Sequence, residues 1–150
     1  MIKRRLATLD RGTFASPDYL SRFGTPRTPD DLEGHERVGS LSPDTSEITP
    51  FVFCAAGKVR QVNLPSMVTV TGAETNVASA CPGLGLAQAP RYRVGSEVAS
   101  GALVEVLGDF PPSPLPVHVL YSHTPQLSPR LRAFIDWMTE QFRERLSPVG

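Results

Sequence analysis

Residues 15–35, Ala-Ser-Pro-Asp-Tyr-Leu-Ser-Arg-Phe-Gly-Thr-Pro-Arg-Thr-Pro-Asp-Asp-Leu-Glu-Gly-His, carry two helix starts within a dozen residues. Ser16 can accept a hydrogen bond from an orphan N–H, and Pro17 supplies the preset φ of a first helical position. Tyr19, Leu20 and Phe23 then share one face, and Gly24 stops the turn. Thr28-Pro29-Asp30-Asp31 repeats the signal, with a cap, a proline and carboxylates at the positive end of a helix dipole. Before Ser16 the stretch Leu6 to Phe14 alternates loosely, which predicts a strand near 8–15. A strand feeding two short helices is a unit of mixed α/β architecture.

The rest of the chain continues that alternation. Residues 39–50 are rich in Ser, Pro and Thr and read as a loop. Phe51-Val52-Phe53-Cys54 and Val59-Arg60-Gln61-Val62-Asn63-Leu64 flank Ala-Ala-Gly57-Lys58 as a hairpin. Met67-Val68-Thr69-Val70-Thr71 is a β-branched run that predicts a strand. Thr71-Gly72-Ala73-Glu74 has the spacing of a capping box, opening a helix over about 72–81 that Pro82-Gly83 stops. Residues 84–90 predict a short buried strand, and 91–94 and 95–100 predict helical turns. Strands follow at 102–107 and 117–121. Ser128-Pro129 then opens a helix whose Leu131, Phe134, Ile135, Met138 and Phe142 form an apolar stripe. The expected fold class is α/β.

Composition narrows the function. A length of 150 residues suits one domain with a real core, or one and a half small lobes. Fifteen basic against fifteen acidic residues leave a formal charge of zero, unlike a module that grips a phosphate backbone by itself. Two cysteines, Cys54 and Cys81, make neither a disulfide framework nor a metal quartet. No apolar run approaches the roughly 18–20 residues that span a bilayer, and the first ten residues lack a secretion signal. The expected location is the cytoplasm.

Candidates for chemistry are few. Gly83-Leu84-Gly85-Leu86 follows a helix and opens a strand, the reverse of a dinucleotide fingerprint. His35, His118 and His123 have no spacing that gathers them on a metal, and read as surface or strand-end residues. No nucleophile–base constellation is visible, so no catalytic residue, metal or cofactor is expected, and the chain does not read as an enzyme. Val70-Thr71-Gly72-Ala73-Glu74 is the strongest site signal: a helix N-terminus suits a carboxylate, and Gly72 lets a ligand approach the backbone. The same residues read first as a well-capped helix with no ligand, and only second as a site.

In order, five motifs resemble the effector-binding domain of LysR-type transcriptional regulators. They are the Ala15-to-His35 stretch, Phe51-Val52-Phe53, Val70-Thr71-Gly72, Ala80 to Pro90 (Ala-Cys-Pro-Gly-Leu-Gly-Leu-Ala-Gln-Ala-Pro), and Gly101 to Leu107 with Pro114 to Tyr121 and Ser128 to Trp137. Gly72, Phe51 and Pro82 depart from the family's usual residues. The resemblance implies a fold like type II periplasmic binding proteins, with two α/β lobes and a small-molecule cleft between them. Residues 14–110 would form the second lobe, with 1–13 and 116–144 as the crossing strand and the return to the first. It carries effector contacts onto Ser16 and Thr71, with Gly72 beside them and Phe53 as a wall. The implied effector is a small carboxylate or aromatic metabolite.

The winged helix-turn-helix and the first part of the first lobe have no counterpart here, so the resemblance implies a truncated chain. Such a chain would make no DNA contact of its own and would bind effector weakly or not at all. It would leave Leu131, Phe134, Ile135 and Met138 uncovered and would self-associate. The alternative implication is a standalone interaction module that associates with a full-length regulator.

Overall fold

The computed structural model describes residues 2–42, 45–121 and 128–146. His123 lies outside them. Two units divide the chain: Met1–Leu9 with Pro114–Gly150, and Asp10–Ser113.

In the first unit, β1 (Ile2–Leu9) pairs antiparallel with β9 (Leu115–Tyr121), from Ile2 opposite Tyr121 to Leu9 opposite Leu115, with an irregularity between Arg5 and Ala7. The helix α4 (Pro129–Leu146) packs on β1. Ser128 starts it as the sequence suggests, its hydroxyl accepting from the Leu131 N–H at 3.1 Å. The expected apolar stripe is not uniformly bare. Ile135 is fully buried and Leu131, Met138 and Phe142 are half-buried, whereas Phe134 is 49% and Trp137 57% exposed. The stripe shifts because α4 turns Ile135 inward and leaves the Phe134 and Trp137 rings outside, their centroids 6.5 Å apart.

The second unit is built on β2 (Arg11–Ala15), which lies antiparallel between β7 (Ala87–Pro90) and β8 (Val104–Val106). Side chains alternate across β2 with the period of two that strands impose. Ala15 joins the core of Tyr19, Leu32, Phe51, Phe53, Leu86, Val106 and Leu107, while Phe14 joins that of Val77, Ala80, Ala87, Ala89, Val94 and Leu103. On the first face sit α1 (Pro17–Phe23), a 3-10 turn at Pro29–Leu32, and the hairpin of β4 (Phe51–Ala55) with β5 (Lys58–Val62). The second face takes α2 (Ala73–Ala80) and a 3-10 turn at Arg91–Val94 that runs into α3 (Gly95–Ser100).

A strand the sequence reading missed, β3 (Arg37–Ser40), runs parallel to β6 (Ser66–Val70). Leu86 joins this pair to the other sheet: Val38 N donates to Leu86 O at 2.8 Å and Leu86 N to Glu36 O at 3.0 Å, a parallel bridge. The resulting order is β6-β3-β7-β2-β8, with β2 alone reversed. Gly85 permits that junction, since a Cβ there would lie 2.6 Å from the Arg37 carbonyl carbon.

The helix α1 is locked to the residues before β3 by one buried hydroxyl. Tyr19 Oη lies 2.8 Å from His35 Nδ1, accepts from Glu36 N at 3.0 Å, and stands 3.2 Å from Glu36 O. Phe23 stacks on the Tyr19 ring at 4.5 Å. Contrary to the surface reading from sequence, His35 is buried, and burial pushes its imidazole below the ordinary histidine value, with Asp31 opposing. The unfolded chain therefore binds more protons than the folded one just below that value, so stability is complete above about pH 6.5 and declines as the pH falls through it. Tyr19→Phe strands the Glu36 N–H and should cost about 1–3 kcal/mol in urea unfolding at neutral pH. Wild-type stability should decline as the pH falls below about 6.5, and His35→Gln should flatten that decline.

Candidate functional site

Two of the helices, α1 and α4, start under a serine cap, and two, α2 and α3, start without a side-chain cap. At α1 the Ser16 hydroxyl accepts from Tyr19 N at 3.1 Å, with Pro17 at the first position, as the sequence predicts. Ser128 does the same for α4. At α2 the residue before the helix is Gly72, at φ 87° and ψ 149°, and no side chain caps the turn. The expected capping box between Thr71 and Glu74 does not form. Glu74 instead makes an ion pair with Arg93, in the 3-10 turn before α3. The first N–H groups of a helix lack intrahelical partners, and among the described residues no side chain caps those of α2.

The surroundings of this turn are polar. Thr71 and Gly72 are exposed. Asn76 is buried one turn in; its Nδ2 donates to Gln88 O at 3.0 Å, and its Oδ1 has no partner. Gln88 continues the network across β7: its Nε2 donates to Val52 O at 2.7 Å and to Thr13 Oγ1 at 3.2 Å, and its Oε1 accepts from Val52 N at 3.2 Å. Gln88 thereby fastens the β4–β5 hairpin to the sheet beneath the site. Asn76, Gln88 and Arg93 were not found from sequence, because each acts through a partner distant in the chain.

The four residues expected to share a site do not. Strand β2 ends at Ala15 beside the starts of β7 and β8, since Phe14 pairs with Ala87 and Ala15 with Val104. Strands β3 and β6 start at that same end, joined there by the Arg37–Leu86 bridge. Ser16 therefore lies at the amino ends of the parallel strands, and Thr71-Gly72 follows the carboxyl end of β6. The contacts agree: a Cβ on Gly83, just past α2, would stand 3.2 Å from Ser16 Oγ, and Arg22 Nη2 donates to Gly83 O at 2.7 Å. Ser16 thus abuts the tail of α2, and the eight residues of α2 set its head about 12 Å away. The Ser16 hydroxyl is also buried and committed to its cap. Phe53 is 0% exposed, edge-on to Phe51 at 5.5 Å, and belongs to the core.

Thr71 and Gly72 share their end of the sheet with both chain ends of the unit. Arg11 pairs with Pro90, Arg91 N donates to Asp10 O at 2.9 Å, and Arg11 Nε donates to Ser113 O at 2.7 Å. Chemically, this end offers free backbone donors, a glycine without a side chain and the positive pole of a helix dipole. That arrangement accepts an anionic oxygen. Among the described residues no group of His, Cys, Asp and Glu could hold a metal ion.

The LysR substrate binding domain profile matches residues 1–143. The chain is 32% identical over 146 residues to the HTH-type transcriptional regulator YhjC of Escherichia coli (strain K12), covering 97% of this chain and 49% of that protein. It is 34% identical over 156 residues to an HTH-type transcriptional repressor of Pseudomonas aeruginosa (strain UCBPP-PA14), covering 100% of this chain and 49% of that one. The chain thus spans about half the length of these relatives. Among solved structures, the CrgA regulatory domain of Neisseria meningitidis, a LysR-type transcriptional regulator, superposes with a TM-score of 0.73 at 25% identity over 93% of this chain and 68% of that one. The full-length Vibrio cholerae virulence activator AphB gives 0.73 at 22% identity, over 94% and 48%, a likeness of fold alone.

Glycines at the two ends of the sheet should respond differently to a methyl group. Gly72→Ala meets nothing within 4 Å but keeps a positive φ with an extended ψ that essentially only glycine adopts, and should cost about 1–3 kcal/mol. Gly85→Ala drives a carbon into the Arg37 backbone at a φ of 154°, and should prevent cooperative folding. Urea unfolding followed by circular dichroism separates the two.

Proposed function

Because the chain belongs to the LysR substrate-binding domain family, we propose that it is the ligand-sensing part of a LysR-type transcriptional regulator and that its effector is met by the first turn of α2. The observation that carries this reading is the uncapped start of α2 at the exposed Gly72, set against the serine-capped starts of α1 and α4; α3 also lacks a side-chain cap but continues the 3-10 turn at Arg91–Val94. A small carboxylate, aliphatic or aromatic, would complete those donors and meet the helix dipole together. Thr71 flanks it, exposed beside Gly72.

Sensing requires that the ligand favour one state of the regulator over another. The bias is worth only its differential affinity for the two. A site at the end of the sheet where Asp10 and Ser113 lie is well placed to bias the path of the chain there. The relatives carry HTH-type in their names, which supports a DNA readout through parts of a regulator that this chain does not align with. The reading is of a cytoplasmic sensor and not an enzyme. No described helix is long and apolar enough to cross a membrane.

Amide resonances of the chain, titrated with benzoate and with acetate, test the site. Gly72, Ala73 and Glu74 should move together and saturate, with a dissociation constant on the order of millimolar. A folded chain whose α2 amides stay fixed while others move contradicts the assignment.

A second reading, association with another copy or with an intact regulator, is favoured by Phe134 and Trp137. Both rings are exposed on α4, and paired aromatic rings are the kind of group that anchors interfaces. Sedimentation over a concentration series should show mass rising with concentration, and Phe134→Ser with Trp137→Ser should suppress the rise. A monomer throughout contradicts it.

A further inference from the structure

We propose that Arg37 forms a second anion site, one that takes a small free carboxylate at the amino end of β3, away from the first turn of α2. Arginine is almost never buried unless paired, yet Arg37 is 6% exposed. The ion pairs of the described residues leave it out: Arg22 takes Asp18, Arg60 takes Asp30, Arg91 takes Glu105 and Arg93 takes Glu74. Arg37 is more buried than any of these four and has no carboxylate among the described residues; Arg11, half-buried, has none either and donates to Ser113 O.

Arg37 contacts one ring and one carbonyl. Its guanidinium carbon lies 4.7 Å from the Phe51 ring centroid, so one face of the plane is covered. Its Nε reaches Val38 O at 3.4 Å, a long bond. The donors left over are the in-plane terminal N–H groups, and a carboxylate matches that fork with two parallel bonds. Burial lowers the pKa of the group without bringing a guanidinium near neutrality at physiological pH. The positive charge therefore persists, and since no Arg37 atom is among the buried unpaired atoms of the described residues, its terminal N–H groups reach the surface, where an anion can meet them.

The backbone of the site is fixed. Arg37 N donates to Pro65 O at 3.0 Å, β3 pairs with β6, and Gly85 packs directly on the Arg37 backbone. The position is also independent of the effector reading, since the Arg37–Leu86 bridge sits at the sheet end opposite Gly72.

The test follows the arginine Nε–H resonances of the whole chain during an acetate titration, with chloride as the comparison anion. The Arg37 signal is assigned by its loss in Arg37→Met or, should that variant not fold, by through-bond correlation in the wild type. It should shift saturably with acetate and less with chloride at equal concentration. Arg37→Lys, followed by the backbone amides of 37–39, should bind acetate about tenfold more weakly because it keeps the charge without the fork. An Arg37 signal that stays fixed, that responds equally to chloride, or that drifts in step with every exposed arginine overturns the proposal. Movement of the Gly72 amide reports the other site, so each can fail alone.

Discussion

One reversed strand governs the second unit. By lying antiparallel between β7 and β8, β2 sends the chain into α1 at one end of the sheet, while β6 delivers α2 at the other. Every assignment of role follows from that polarity. The serine at the head of α1 meets the tail of α2 and serves as a cap. The glycine at the head of α2 shares its end of the sheet with Asp10 and Ser113, where the unit begins and ends.

Two short contacts hold the arrangement. At Gly85 the absence of a side chain lets the stretch before β7 lie directly on β3, which joins two parallel pieces into one sheet. At Tyr19 a single hydroxyl ties α1 to the residues that lead into β3. Neither contact touches the proposed effector site. They act by fixing β3 and α1, and with them the sheet on which β6 and α2 are seated. Gln88 adds the hairpin to the same frame through both the N–H and the carbonyl of Val52.

Much of this was legible in the sequence, and what was not has a common cause. The starts of α1 and α4, the β4–β5 hairpin and the limits of α2 follow from local rules, since caps, prolines and β-branched runs act within a few residues. The likeness to periplasmic-binding-protein-like regulators was carried by motifs in order, and the family match bears it out. The strand β3 escaped because Arg-Val-Gly-Ser has neither length nor alternation; it is a strand by virtue of its neighbours. Glu74 was read as a capping partner because of its spacing, but Arg93 competes for it from nineteen residues away. Grouping Ser16 and Phe53 with Thr71 and Gly72 failed for the same reason. Which end of a sheet a residue occupies depends on strand polarity, which no local pattern states. The burial of Arg37 and its lack of a described counter-charge exist only in three dimensions.

The central claim is that ligand recognition belongs to the head of α2 and not to the head of α1. Hydrogen–deuterium exchange of the chain with and without saturating benzoate tests it directly. The account predicts slowed exchange in the peptide covering 70–76, with the peptide covering 14–20 unchanged. Protection centred on 14–20, with 70–76 unaffected, would contradict it.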